Sequence, residues 1–361
     1  MIERSYRKLI VHSVVPESDS AKSFYLAPHD GGVLDQHLPG QHLPLRLEIP
    51  GRDRPVFRCY TISNFEKRFY RLTIKREVPP ADKPGTAPGL SSTYFHDAVH
   101  PGDILEAKPP SGNFWLDLQK DHPVVMLAGG IGVTPMMSMI EALASSASKR
   151  DVYFFYALRH SGDHVFKARL KELAEQCPNL RLWVLYEQAS DAELERRDCH
   201  ETGRIHLDLL RERLPSLNLE YYLCGPQGMM KALSEGLNGA GVSPDNIRTE
   251  SFGPSGIALR SLISSDENAF HALQRPSGMK VTFMRSGVSI PWTGEAQSLL
   301  QLAEANGIDI SSGCQYGDCG TCMTRVLEGS VKYLHPTGAR PDGGCCLPCS
   351  CHPETSLVLD A

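Results

Sequence analysis

Seven of the chain's eleven cysteines fall between Cys314 and Cys351, while Cys59, Cys177, Cys199 and Cys224 are scattered before them. The start of the chain is charged and lacks the apolar core of a signal peptide, so a cytoplasmic location is expected. In such a chain a cysteine cluster points to metal rather than to a disulfide framework, and an odd total fits complete pairing poorly. Cys314-Gln-Tyr-Gly-Asp-Cys319-Gly-Thr-Cys322 reads Cys-x4-Cys-x2-Cys, the spacing of a [2Fe–2S] site that takes a distant fourth cysteine. Thiolates are the soft, charged donors that hold iron in a tetrahedral sulfur environment. Gly313, Gly317 and Gly320 let backbone N–H groups approach those sulfurs. The alternative is zinc, whose cysteine pairs usually come with a second pair at finger-like spacing.

A chain of 361 residues implies two or three domains at roughly 100–200 residues each. With 42 acidic and 37 basic side chains the formal charge is −5, which gives no footprint for nucleic acid or an anionic membrane. No apolar run reaches the ~18 residues of a membrane span. Residues 1–117 read as an antiparallel β-barrel or sandwich. Leu9–Val15, Leu43–Ile49, Val56–Ile62 and Phe69–Glu77 are β-branched and aromatic segments separated by Pro/Gly/Asp turns. Residues 118–253 alternate strands and helices. Strands are expected at Val124–Leu127, Val152–Tyr156, Leu180–Tyr186 and Tyr221–Cys224, and helices at Met136–Leu143, Lys167–Gln176 and Leu207–Leu214. That alternation points to a doubly wound parallel sheet. Residues 254–278, rich in Pro, Ser and Gly, read as a linker. The last domain, 279–361, opens with a hairpin around Ser286-Gly287, continues with a helix at Ser298–Glu304 and closes with a strand at Leu357–Leu359.

Three further motifs lie in the first two domains. Arg58-Cys-Tyr60-Thr61-Ile-Ser63 sits on an expected strand, with Lys75-Arg-Glu77 at the end of a later one and Gly89-Leu-Ser91-Ser92 after it. Gly129-Gly130-Ile-Gly132-Val-Thr134-Pro135 follows a short apolar strand and opens a helix, a place suited to backbone approach to a pyrophosphate. Cys224-Gly225-Pro226 ends a strand further on. For Cys224 and Phe252, burial in an ordinary core is the plain alternative reading.

Together these motifs resemble the ferredoxin–NADP reductase superfamily, especially the reductase portion of flavohaemoglobins, while residues 279–361 resemble a plant-type ferredoxin of α+β (β-grasp) fold. The resemblance implies a flavin barrel, a nicotinamide domain and a [2Fe–2S] domain in that order. In that family the fourth cluster ligand lies in a Leu-x-Cys-x-x-x-Pro stretch, here Leu347-Pro-Cys349-Ser-Cys351-His-Pro353, which assigns Cys349 and leaves Cys351 as a substitute. Cys345 and Cys346 have no assigned role. Arg58 is suited to a flavin phosphate, Tyr60 to the isoalloxazine face and Thr61 to its N5 edge. The Gly89–Ser92 turn suits a pyrophosphate, which favours FAD over the FMN of some relatives. Gly129–Pro135 and Cys224–Pro226 would hold NADH or NADPH, with Cys224 beside the site of hydride transfer. Phe252 would cover the flavin until nicotinamide displaces it. Arg159-His160 are candidates for a 2′-phosphate, although such residues are equally ordinary on a solvated loop.

The expected function is an NAD(P)H-dependent reductase that passes electrons through FAD and [2Fe–2S] to a partner protein. The partner expected is the oxygenase component of a multicomponent oxygenase. Another low-potential redox enzyme as acceptor, or a non-catalytic redox sensor, is the alternative. No globin-sized segment precedes the flavin motifs, so oxygen chemistry within the chain itself is not expected.

Overall fold

The computed structural model describes residues 6–361 apart from 54, 80–84, 86, 253–277, 314, 316, 318, 319, 335, 336, 338 and 340. Two compact units are present, drawn mainly from the first 264 residues and from the remainder.

The first unit begins with six strands: β1 (Arg7–Pro16), β2 (Ala21–Pro28), β3 (His42–Leu47), β4 (Val56–Thr61), β5 (Tyr70–Lys75) and β6 (Ile104–Ala107). Their order is β4-β3-β6-β1-β2-β5, and an antiparallel bridge from Ile62 to Leu72 joins the chain just past β4 to β5. The two ends of the order therefore meet, closing the sheet into a barrel and covering the edges that an open sheet would expose. Its core is aliphatic, with Leu9, Leu26, Leu43 and Leu72 packed on Phe24 and on Phe95 from helix α1 (Leu90–Ala98).

The rest of this unit is a parallel sheet of β7 (Val124–Gly129), β8 (Val152–Leu158), β9 (Leu180–Tyr186), β10 (Glu201–Thr202), β11 (Glu220–Cys224) and β12 (Ile247–Glu250). Helices α2 (Val133–Ser145), α3 (Lys167–Gln176), α4 (Asp191–Glu195), α5 (Leu207–Arg213) and α6 (Gln227–Gly239) connect it. Alternate residues of β7 serve opposite faces. Val124, Met126 and Ala128 pack with Met136 of α2 and Leu170 of α3, while Val125 and Leu127 pack with Leu209 of α5 and Met230 of α6. A strand covered on both sides has no polar face, which is why its sequence reads as an unbroken apolar run. Each such side chain contributes roughly 1.5–3 kcal/mol on burial. The sheet order is β10-β9-β8-β7-β11-β12, so its direction of progress reverses between β7 and β11. At such a switch point the loops leaving the strand ends diverge and open a crevice for a ligand.

The second unit pairs β13 (Lys280–Phe283) with β14 (Val288–Pro291) as an antiparallel hairpin whose turn uses Gly287 at φ +66°. Helix α7 (Leu299–Ala305) follows, capped by Ser298, which accepts from the Gln301 N–H at 3.2 Å. The remaining strands are β15 (Thr324–Glu328), β16 (Val331–Tyr333), β17 (Cys345–Cys346), β18 (Cys351–Pro353) and β19 (Leu357–Leu359). The sheet order is β14-β13-β19-β15-β17, with β16 and β18 forming a separate ribbon. Val281, Phe283, Leu299, Leu302 and Leu359 fill the core. The three-part architecture is the one expected from the sequence. The expected linker at 254–278 lies outside the described residues except for Gly278.

Candidate functional site

The motif on β4 divides by exposure. Arg58 is exposed and bonds only its neighbour's carbonyl, Phe57 O at 2.7 Å, among the described residues. Tyr60 is half-buried, edge-on to Phe95 with ring centroids 5.2 Å apart. Thr61 is buried, and its Oγ1 finds no hydrogen-bond partner among the described residues. A buried hydroxyl without a partner costs about 1–3 kcal/mol, so the arrangement suits an external polar edge at that point.

Glu77, Gly89 and Ser92 are brought together by a closed set of bonds. The Glu77 N–H donates to Ser92 Oγ (3.1 Å), Ser92 Oγ donates to Gly89 O (3.0 Å), and the Gly89 N–H donates to Glu77 O (2.9 Å). A Cβ at Gly89 would lie 2.7 Å from Cβ of Glu77, so this turn is built for glycine. It leads into α1 with no side-chain cap on the first N–H groups of that helix, and Ser91 Oγ in the same turn is buried without a partner among the described residues. Uncapped N–H groups with an orphan hydroxyl fit an anionic phosphate. Lys75 is half-buried, its Nζ 3.9 Å from Asp163 on the loop after β8.

At the switch point the two glycine segments interlock. A Cβ on Gly132 would lie 2.2 Å from the Cys224 carbonyl oxygen, one on Gly129 2.6 Å from Pro226 Cδ, and one on Gly225 2.9 Å from the Gly129 nitrogen. Gly130 adopts φ +53°, and Thr134 Oγ1 donates to Ile131 O at 3.1 Å, so the turn is fixed by its own hydroxyl. Pro135 is buried in the first turn of α2, where a missing N–H leaves no broken bond. Cys224 is fully buried, and burial first and the charge of Glu250 second push its thiol well above the ordinary range, so it stands there as a neutral S–H. Glu250 pairs with Cys224 in register, and its Oε1 is 3.9 Å from His42 Nδ1 on barrel strand β3. Both residues lie in motifs that belong to the family resemblance, Pro39-Gly-Gln-His42 and Glu250-Ser-Phe252-Gly-Pro254, although the sequence assigns neither of them a role of its own. Phe252 is 46% exposed. Arg159 donates Nε to Asp163 at 2.9 Å.

In the second unit Cys322 and Cys349 are both buried, with their Sγ atoms 3.1 Å apart. The Gly317 N–H donates to Cys349 Sγ at 3.1 Å, from a residue at φ +79° that only glycine adopts without strain. Two sulfurs side by side with an N–H aimed at one of them form a donor set that fits an iron–sulfur centre. Cys351 instead turns into the core and donates to Leu347 O at 3.2 Å, while Cys346 is wholly buried with it. Cys314 and Cys319 lie outside the described residues.

The oxidoreductase NAD-binding domain family matches residues 126–235, and the 2Fe-2S iron-sulfur cluster binding domain family matches residues 281–354. The crystal structure of the flavohem-like FAD/NAD-binding domain of nitric oxide dioxygenase from Vibrio cholerae aligns over 69% of this chain and 100% of its own, at 30% identity and a TM-score of 0.61. The chain belongs to the FAD/NAD-binding reductases of the ferredoxin–NADP reductase type. As a member of that family carrying a C-terminal ferredoxin-type domain, it is an oxidoreductase. The cofactors that go with these modules are FAD and a [2Fe–2S] cluster, with NAD(P)H as co-substrate. The flavohemoprotein of Bacillus cereus (strain ATCC 10987 / NRS 248) is 34% identical over 253 residues, 70% of this reductase, which thereby spans 62% of that relative's length. Phthalate dioxygenase reductase shares the complete fold, aligning over 99% of this chain and 98% of its own at 23% identity and a TM-score of 0.57. Among the described residues no helix is long and apolar enough to cross a membrane.

Proposed function

We propose that this reductase takes electrons from NAD(P)H and delivers them, through FAD and then [2Fe–2S], to a partner redox protein, the oxygenase component of a multicomponent oxygenase. The observation that carries this reading is the interlock of Gly129, Gly132, Cys224 and Gly225 at the switch point of the parallel sheet, in one compact unit with the barrel. The working domains are residues 1–117 for flavin, 118–253 for nicotinamide, 254–278 as linker and 279–361 for the cluster. The fold shared with phthalate dioxygenase reductase, a structure described as modular for electron transfer from pyridine nucleotides to [2Fe–2S], supports that order and that acceptor class. The absence of a long apolar helix among the described residues accords with a cytoplasmic site of action.

When bound, a flavin accepts an electron pair with a hydride while a [2Fe–2S] cluster handles electrons singly, so the two in series convert one kind of transfer into the other. The chain's own residues supply position and field. Arg58, Ser91, Ser92 and the N-terminus of α1 hold the flavin's phosphates, with Gly89 and Glu77 shaping the turn and Lys75 flanking it. Tyr60 presents a flat face to the ring, Thr61 a hydroxyl to its edge, and Ser63 anchors the strand behind them. Gly129, Gly130, Gly132, Thr134, Pro135, Gly225 and Pro226 form the nicotinamide crevice, with Cys224 beside them, its neutral thiol buried and adding no charge. Phe252, 46% exposed, would cover the flavin until nicotinamide displaces it. Cys314, Cys319, Cys322 and Cys349 hold the cluster.

Turnover of ferricyanide or cytochrome c by the purified chain, with NADH and then NADPH, tests the reading. Steady reduction with at least one nucleotide supports it. Bound flavin and iron with no turnover from either would make the chain a non-catalytic redox module instead.

A further inference from the structure

Arg71 is the second residue of β5, between Tyr70 and Leu72 that face the barrel core, and is only 7% exposed. A guanidinium withdrawn from water must find several partners, and this one finds them on both sides of a seam. Its Nε donates to Ser63 Oγ at 3.0 Å and its Nη2 to the Ser63 carbonyl, while the Ser63 N–H returns a bond to Arg71 O at 2.8 Å. Across the seam Nη2 also donates to Glu141 Oε1 of α2 at 3.3 Å. The plane of the guanidinium lies over Phe166, 4.5 Å from the ring centroid, and Phe166 leads into α3 in a left-handed conformation at φ +61°. An aromatic residue in that region is an outlier, kept there by packing.

Neighbouring bonds run the same way. Ser138 and Glu141, three residues apart on one face of α2, take hold of the segment that follows Thr61. Ser138 Oγ donates to Asn64 O at 3.0 Å, and Glu141 Oε2 accepts the Phe65 N–H at 3.2 Å. Behind Ser63 a buried file of hydroxyls, Thr73 Oγ1 at 2.9 Å and then Ser23 Oγ at 2.8 Å, ends on the carboxylate of Glu17 at 2.6 Å from Ser23. The segment just past Tyr60 and Thr61 and the helix that begins just after the Gly129–Gly132 turn are thus tied together by these two bonds and by the buried guanidinium of Arg71.

We propose that Arg71 is a positioning residue for hydride transfer, which sets the approach of the nicotinamide crevice to the flavin edge by clamping Ser63–Phe65 onto Glu141 of α2. The inference rests on the reading that hydride moves from NAD(P)H to a flavin at Thr61. Misplacement of reacting groups by about 1 Å costs up to roughly 100-fold in rate, so the effect falls on the transfer step rather than on cofactor retention.

The test uses the full chain and the variants Arg71→Met, Arg71→Lys and Glu141→Gln. Flavin reduction is followed by rapid anaerobic mixing with NADH or NADPH and expressed per bound flavin. Amide exchange of Phe65 is measured separately in flavin-free protein. The expected result is a fall of roughly 10- to 100-fold in the rate for Arg71→Met and Glu141→Gln, with no further loss in the double variant. A smaller fall is expected for Arg71→Lys, with faster Phe65 exchange in all three. An unchanged rate per flavin in both Arg71→Met and Glu141→Gln overturns the proposal and leaves Arg71 a purely structural cation. Absence of flavin reduction in the unaltered chain would overturn the functional reading, an outcome distinguished by the exchange measurement, which reports the clamp without any cofactor.

Discussion

Gly132 sits so close to Cys224 that a single added methyl group would lie 2.2 Å from the Cys224 carbonyl oxygen. This contact fuses the turn after β7 to the turn after β11, the two strand ends between which a dinucleotide crevice opens. Backbone atoms do not swing aside as a side chain does, so Gly132→Ala must push the two turns apart. The expected outcome is a loss of about 1–3 kcal/mol of stability, the usual cost of overpacking, together with a KM for NAD(P)H raised roughly tenfold. Gly130→Ala, with open space around its Cβ and φ +53°, should cost only about 1–2 kcal/mol of backbone strain and leave KM near normal. Urea unfolding and steady-state kinetics on the two variants check the contrast.

Thr61→Val separates fold from function at the flavin edge. Since Thr61 Oγ1 is buried with no partner among the described residues, its removal relieves an unsatisfied group. The flavin-free protein is expected to melt at the same temperature or slightly higher. The loaded protein is expected to reduce its flavin about tenfold more slowly, the loss of one good hydrogen bond in the transition state. Calorimetry of the first and rapid mixing of the second read the two effects independently.

Cys349→Ser and Cys351→Ser are expected to differ in kind. Cys349 stands 3.1 Å from Cys322 and accepts the Gly317 N–H, whereas Cys351 donates to Leu347 O inside the core. Iron and acid-labile sulfide should be lost in the first variant and retained in the second, as measured by metal and sulfide analysis of freshly purified protein.

His164 makes the first unit sensitive to acid. Burial, and to a lesser extent the charge of Lys167, lowers its pKa from the ordinary 6.5 to about 3, and its Nδ1 lies 2.7 Å from the Tyr186 hydroxyl. The folded state thus keeps the ring neutral where the unfolded chain protonates it. This contribution to stability is full above pH 6.5 and declines as pH falls toward 3, by about 1.4 kcal/mol per pH unit well below 6.5. His164→Phe should flatten the dependence of the urea midpoint between pH 6.5 and 5 relative to the unaltered chain.

The fold was most legible where one force dominates. The apolar run of β7 is buried on both faces, and the Leu357–Leu359 strand sits between two others in the last sheet, so pattern and position agree. Helix α6 was not legible as a helix because Gly228, Gly236 and Gly239 lower its propensity, although Met230, Leu233 and Leu237 keep a helical spacing on its buried face. Strands β2 and β6 also went unread. The first has Ala and Ser interrupting its alternation, and the second is four residues long. At the site, motif residues were readable as local strings, but Arg71 and Glu141 were not. A cation in a strand and an acid in a helix look solvent-facing until the seam that buries them is known.

The central claim is that one chain moves electrons from NAD(P)H through a flavin to a [2Fe–2S] centre. Anaerobic mixing of the purified holoprotein with NADH or NADPH, followed by absorption and by low-temperature electron paramagnetic resonance, tests it most directly. The expected result is rapid bleaching of the flavin bands and then appearance of a reduced [2Fe–2S] signal that is absent from Cys349→Ser. A flavin that stays oxidised with both nucleotides, or one that bleaches while the cluster never becomes reduced, would contradict it.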